Sequence, residues 1–189
     1  QKGVLLKITN NLLTPETNKN ITVSDMITGY GVSESINHFY NIYGGKVKNK
    51  KIIVQGWGNV ASSAAYYQAL SGAKIVGIID KNGGLINQDG FSLKEIKNLF
   101  LNKNKNPLNS EDILSYDEVN SKIWDLKAEI FIPAAASRLI NKKQIEKMIS
   151  NGLELISCGA NVPFADNEIL FGPISVFTDK TISVIPAFI

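Results

Sequence analysis

Gly56, Gly58 and Ala61 stand as Gly-x-Gly-x-x-Ala in the run Gln55-Gly56-Trp57-Gly58-Asn59-Val60-Ala61. Residues of these types at this spacing suit one kind of chemistry, the approach of main-chain N–H groups to a diphosphate. Gly56 can take the backbone angles of a tight turn, and Gly58 has no side chain to hold a pyrophosphate away. Ala61 is small enough for a helix and a strand to pack closely. The pyrophosphate would rest on the free N–H groups and positive dipole end of a helix beginning near Gly58. Asp80, followed by Lys81, ends the next apolar run. A carboxylate there can accept hydrogen bonds from an adenosine ribose.

A bare glycine pattern is a weak signal, so the elements around it decide. Ile52-Ile53-Val54 predicts a buried parallel strand, and Val60 to Leu70 a helix in which Ala64, Ala65 and Ala69 allow close approach. Ile75 to Ile79 predicts a second buried strand. Strand, glycine turn, helix and acid-ended strand are the first half of a dinucleotide-binding βαβ unit. The alternative is a glycine turn in an α/β protein that binds no nucleotide. Ala128 to Pro133 predicts another buried strand, with Ala134-Ala135-Ala136-Ser137 at its carboxyl end. Open α/β sheets bind ligands at that edge, and such small side chains would let a flat ring or ribose lie against the backbone, or would serve close strand–helix packing. Asn141 predicts the N-cap of a helix over Lys142 to Ser150, which Asn151-Gly152 ends. Leu153 to Ser157 and Ile182 to Ile185 read as further strands. Asn161, just past the first of these, carries a carboxamide that can both donate to and accept from a nicotinamide.

The whole predicts an α/β, Rossmann-like fold: an open, mostly parallel sheet with helices on both faces. A length of 189 residues suits one domain, and the net charge of +3, spread over scattered lysines, gives no reason to expect nucleic acid. No apolar run is long enough to span a bilayer and no signal-like segment is present, so no membrane partner is expected. Cys158, the one cysteine, ends an apolar strand and reads as a buried thiol, consistent with a reducing cytoplasm. His38, the one histidine, lies beside the apolar stripe of a helix and reads as packing or surface. With so few ligands no metal site is expected, and no nucleophile elbow supports a hydrolytic triad. Arg138, the lone arginine, offers a planar fork for an anion or sits in a structural ion pair.

Residues 1–27 have no clear fold of their own: Val4 to Ile8 could be an edge strand, and Thr14 to Asn20 is a polar connector. They read as a lead-in from a substrate domain upstream, leaving 28–189 as the dinucleotide-binding domain. Thr28-Gly29-Tyr30-Gly31 is expected to open an amphipathic helix carrying Val32, Ile36, Phe39, Tyr40 and Tyr43, stopped by Gly44-Gly45. Lys81 to Gly84 reads as a turn, and Ser92-x-x-Glu95 as a capping box before a short helix. Residues 102–112 read as a polar loop, and about Asp117 to Leu126 as a second short helix. The last predicted strand is followed by no closing helix, so one sheet face is expected to lack its final cover.

Five motifs, taken in order, carry a resemblance. They are Thr28-Gly29-x-Gly31-Val32, Gln55-Gly56-Trp57-Gly58-Asn59-Val60-Ala61, Ile132-Pro133-Ala134-Ala135, Gly159-Ala160-Asn161-x-Pro163 and Ile185-Pro186. In order and spacing they resemble the C-terminal NAD(P)-binding domain of the glutamate/leucine/phenylalanine/valine dehydrogenases. The resemblance implies an enzyme that oxidatively deaminates an L-amino acid to a 2-oxo acid and passes hydride to nicotinamide, and a homo-oligomer at full length. It also implies roles. Gly56, Trp57, Gly58, Asn59 and Val60 would hold the pyrophosphate, and Asp80 with Lys81 the adenosine ribose. Ala134 and Ala135 would line the adenosine or ribose side, and Thr28 and Asn161 would orient the nicotinamide end. In that family the catalytic lysine and carboxylate lie in the N-terminal substrate domain, so no catalytic residue is assigned and the chain alone is expected to be inactive.

Three positions depart from the family pattern. Ser24-Asp25-Met26-Ile27 stands where Arg-x-Glu-Ala is common, Cys158 where an acid often precedes Gly-Ala-Asn, and Ala187 where an acid follows Ile-Pro. The first two bear on amino-acid specificity, the third on the nicotinamide pocket. The Asp80 charge repels a 2′-phosphate and favours NAD, whereas Lys81 could neutralise it and admit NADP. A non-catalytic nucleotide-binding or oligomerisation module of the same fold is the rival reading. Another Rossmann dehydrogenase, of shikimate or malic type, fits less well because Gly159-Ala160-Asn161 follows Pro133-Ala134-Ala135 in register.

Overall fold

Ile52, Ile53 and Val54 have no charge among them, and all three are fully buried in the central strand β1 (Lys51–Gln55). Each such side chain contributes about 1.5–3 kcal/mol by leaving water. The computed structural model describes residues 21–103, 108, 110–168 and 171–187. The expectations for Val4 to Ile8 and Thr14 to Asn20, and the Asn104 to Pro107 part of the polar loop, lie outside the described residues.

The element order after β1 is α2 (Asn59–Leu70), β2 (Lys74–Asp80), β3 (Gly83–Phe91), α3 (Leu93–Leu101) and α4 (Tyr116–Lys122), with a 3-10 turn over Ile123–Asp125. Then come β4 (Ile130–Pro133), α5 (Lys142–Ser150), β5 (Leu155–Ser157), α6 (Pro173–Thr181) and β6 (Ser183–Ile185), while α1 (Val23–Tyr43) precedes β1. The six strands form one sheet in the order β3-β2-β1-β4-β5-β6. All neighbours run parallel except β3, which is antiparallel to β2.

Alternation along the strands divides the core in two. Ile52 and Val54, with Ile75, Ile130 and Leu155, face α1, α2 and α3. Ile53, with Val76, Phe131 and Ile156, faces α4, the 3-10 turn and α5, with Ile174 and Phe177 of α6 packed against them. Both faces are thus covered by helices, α6 among them, which the sequence reading did not anticipate.

Two further differences have local causes. α1 starts at Val23 rather than Thr28, because Asp25 Oδ2 accepts from the Thr22 main-chain N–H at 2.8 Å and caps an earlier turn. The turn expected over Lys81 to Gly84 gives way at Gly83 to strand β3, where the sequence predicts no element. Its Gly83-Gly84 and Asn87-Gln88-Asp89-Gly90 are turn-forming residues by type, yet its main chain pairs with β2 from Asp80↔Gly83 through Ile75↔Phe91, with a register shift between. Elsewhere the capping box at Ser92/Glu95 and the N-cap at Asn141 are present as expected, the latter completed by Gln144, and Gly44 ends α1 at φ +86°. Among the described residues no helix is long and apolar enough to cross a membrane.

Candidate functional site

Five strands run parallel to β1 or are β1 itself, so their carboxyl ends share one edge of the sheet, and the glycine turn lies on that edge. Gly56 follows β1 at φ +96°, and its N–H donates to the Ile79 carbonyl at 2.7 Å. A Cβ here would come within 2.8 Å of the Ala134 carbonyl oxygen and 3.0 Å of Ala135 Cα. Glycine is required at this position twice over, by dihedral and by space. Gly58 is the N-cap of α2, and no side chain caps that helix. Its first-turn N–H groups therefore carry the partial positive charge of an open helix end.

The turn forms one wall of a crevice of about 520 Å³. Gln55, Gly56, Trp57 and Gly58 contribute from β1 and the turn, and Ile79, Asp80 and Lys81 from the end of β2. Ala134, Ala135, Ala136 and Leu139 contribute from the segment after β4, and Tyr116 completes the lining from the start of α4. Seven residues singled out in the sequence thus share one concavity: Gly56, Trp57, Gly58, Asp80, Lys81, Ala134 and Ala135. The Asp80 carboxylate is partly exposed, and Oδ2 accepts from the Leu108 N–H only at 3.5 Å.

Trp57 borders the crevice without offering its ring to it. Its indole is fully buried, and Nε1 donates to the Leu99 carbonyl of α3 at 3.3 Å, which anchors the turn to the core. Asn59 and Val60 lie in the first turn of α2 rather than on the crevice wall. Val60 and Ala134 both approach Gly159, where a Cβ would meet Val60 Cγ1 at 2.8 Å and Ala134 Cβ at 2.7 Å. The small residues of three separate motifs therefore serve close packing as well as lining the edge.

Thr28 and Asn161 are not brought to this crevice. Thr28 is exposed on α1. Asn161 lies past β5 on a second cavity of about 500 Å³ with Cys158, Asp166, Pro186 and Ala187. Cys158 is buried, and loss of hydration pushes its thiol up to about 12, so it is held as an unreactive thiol. His38 is exposed. The Arg138 guanidinium donates to the main-chain carbonyl of Asp166, a role in neither of the two expectations for it.

A polar cluster at the start of α2 escaped the sequence reading. Asn59 Nδ2 donates to Asp25 Oδ1 at 2.9 Å, and Lys103 Nζ donates to Asn59 Oδ1 at 2.6 Å and to Ser62 Oγ at 3.0 Å. Burial pushes the Lys103 ammonium down to about 8, against the opposing pull of the Asp25 charge. Burial raises Asp25, but hydrogen bonds from Thr22, the Lys103 charge and the Asn59 amide outweigh it and hold the carboxyl below its ordinary value. No spacing could have paired Asp25 with Asn59 and Lys103, which meet only through the packing of α1, α2 and the end of α3. Tyr116 and Leu139 were missed for the same reason.

A sheet in the order 3-2-1-4-5-6 with a glycine turn after its central strand defines the Rossmann-like class of α/β domains. Residues 21–189 match the model of the Glutamate/Leucine/Phenylalanine/Valine dehydrogenase family, and the chain belongs to that family. It is 29% identical over 149 residues to an NADP-specific glutamate dehydrogenase of Psychrobacter sp. (strain TAD1), covering 75% of this chain and 32% of that protein. It is 33% identical over 117 residues to a catabolic NAD-specific glutamate dehydrogenase of Bacillus subtilis, covering 61% of this chain and 26% of that protein. Among solved structures, a hetero-hexameric glutamate dehydrogenase from Thermus thermophilus superposes with a TM-score of 0.66 at 19% identity, over 86% of this chain and 36% of that one. The chain spans about a third of the length of the curated relatives it matches.

Proposed function

We propose that residues 28–189 are the nicotinamide-dinucleotide-binding domain of an amino acid dehydrogenase resembling glutamate dehydrogenase, with residues 1–27 leading in from a substrate domain. The observation that carries this is the uncapped amino end of α2, reached across two glycines, facing a crevice with a carboxylate on the neighbouring strand. A diphosphate fits such an end because orphan N–H groups and the helix dipole both favour negative charge, and a Cβ on Gly58 would stand in its way. Gly56, Gly58, Asn59 and Val60 hold the diphosphate, and the backbone of Trp57 completes the turn. Asp80 accepts from the adenosine ribose with Lys81 beside it. Ala134 and Ala135 let the ribose side lie close, and Thr28 and Asn161 orient the nicotinamide end when the full enzyme assembles.

The cofactor supplies a hydride acceptor for oxidation of an L-amino acid to a 2-oxo acid. This chain's own residues bind and orient it, and the proton-transfer groups belong to the remainder of the protein, in keeping with the greater length of the relatives. NAD is favoured over NADP because a 2′-phosphate would meet the Asp80 charge, and both kinds of specificity occur among the relatives. Calorimetric titration with NAD, NADP and ADP-ribose tests the reading. Micromolar to millimolar binding is expected, abolished by Gly58→Val, with Asp80→Ala narrowing the gap between NAD and NADP. Unchanged affinity in Gly58→Val would remove the site from the glycine turn.

A further inference from the structure

We propose that Lys103 is a positioning residue for the glycine turn: through Ser62 and Asn59 it fixes the first turn of α2, and its ammonium makes dinucleotide affinity depend on pH. This rests on the assignment of the turn to a diphosphate and goes beyond it in naming a residue outside the crevice lining that acts on the turn.

The hydrogen bonds run from the amine to the turn. Lys103 Nζ donates to Ser62 Oγ at 3.0 Å, and Ser62 Oγ donates to the Gly58 carbonyl at 2.7 Å. That carbonyl belongs to the peptide whose N–H is the first orphan donor of α2, so the chain of bonds orients and polarises the group a diphosphate meets. Lys103 Nζ also donates to Asn59 Oδ1 at 2.6 Å, while Asn59 Nδ2 donates to Asp25 Oδ1 at 2.9 Å. Both ends of the Asn59 carboxamide are thus engaged, and Asn59 is left to meet a diphosphate through its main chain.

Without an anion the place is a poor one for a cation. A positive charge beside a helix amino end opposes the helix dipole, and burial strips it of water. Around the amine stand Asp25 of α1, Asn59 and Ser62 of α2, and the Phe100 ring of α3 at 5.4 Å from Nζ. Tyr66 of α2 stacks on that ring, and burial raises its hydroxyl, so it stays uncharged where the lysine titrates. Among the described residues Asp25 is the charge that acts on Lys103, and burial outweighs its pull and sets the amine at about 8. A diphosphate at the end of α2 supplies further negative charge and raises that midpoint. By reciprocity the protonated chain binds more tightly, so affinity is full below about 8 and falls as pH rises through it.

The test uses the full 189-residue chain and ADP-ribose, whose diphosphate has no proton to exchange in this range. Calorimetry from about pH 6.5 to about pH 9.5 should show wild-type affinity falling about fivefold, the effect of one charge at a helix end. Lys103→Met should bind about fivefold more weakly than wild type at the acid end and equally at the alkaline end. Lys103→Arg, whose charge does not titrate, should keep the acid-end affinity of the wild type throughout. NMR should place the Lys103 midpoint near 8 in the free chain and higher at saturation. Unchanged affinity in Lys103→Met, or a loss equal at both ends, overturns the proposal; if Gly58→Val still abolishes binding, the glycine-turn site stands. Failure of the wild-type chain to bind ADP-ribose overturns both.

Discussion

Gly56 and Gly152 share nearly the same backbone, φ +96° and +98°, but differ in surroundings. A Cβ at Gly56 would press on Ala134 O at 2.8 Å and Ala135 Cα at 3.0 Å, whereas one at Gly152 would meet nothing within 4 Å. Replacing each by alanine therefore separates two effects that usually come together. The left-handed dihedral costs about 1–2 kcal/mol in both variants. Gly56→Ala adds overpacking against backbone that cannot rotate away, about 1–3 kcal/mol more, for a total of about 2–5 kcal/mol. Against a total stability of about 5–15 kcal/mol this is a large fraction. Urea unfolding followed by circular dichroism, with the midpoint and slope measured for both variants at one temperature, reads the difference directly. The excess of Gly56→Ala over Gly152→Ala should be about 1–3 kcal/mol, and ADP-ribose binding should fall only in Gly56→Ala. Equal destabilisation of the two would mean that the turn and the segment after β4 are not in close approach, and the edge described above would be misdrawn.

The Lys103 ammonium should titrate near 8 rather than at the 10.5 of a free lysine, followed by NMR of its side-chain nuclei. Asp25→Asn should lower that midpoint further, because the Asp25 charge is what raises it; a native midpoint near 10.5 would contradict the burial described for this amine. Since the unfolded chain then binds this proton more tightly than the folded one, Lys103 makes stability rise as pH climbs from about 8 through 10.5. Cys158, held up at about 12 by burial, should resist a thiol reagent at pH 8 in the native protein and react at once in urea; rapid native labelling would place the thiol at the surface.

Local signals were enough for much of this molecule. Ile52-Ile53-Val54 had to be a buried strand because nothing in it tolerates water, and Ser92/Glu95 and Asn141 marked helix starts because a cap closes within four residues. Gly56, Gly58 and Asp80 announced a crevice at the sheet's carboxyl edge because the requirements on them are set by backbone geometry over short range. What the sequence could not disclose depends on partners distant in the chain. β3 is made of turn-forming residues and is a strand only because β2 offers it an unpaired edge. Trp57 looks like part of a ligand turn, yet its ring is spent on the Leu99 carbonyl. Asp25, Asn59 and Lys103 become neighbours, and Tyr116 and Leu139 come to line one crevice, only when helices from separate stretches close over one sheet. Period and spacing are properties of the chain itself, whereas which side chains face one another across a crevice is decided by tertiary packing.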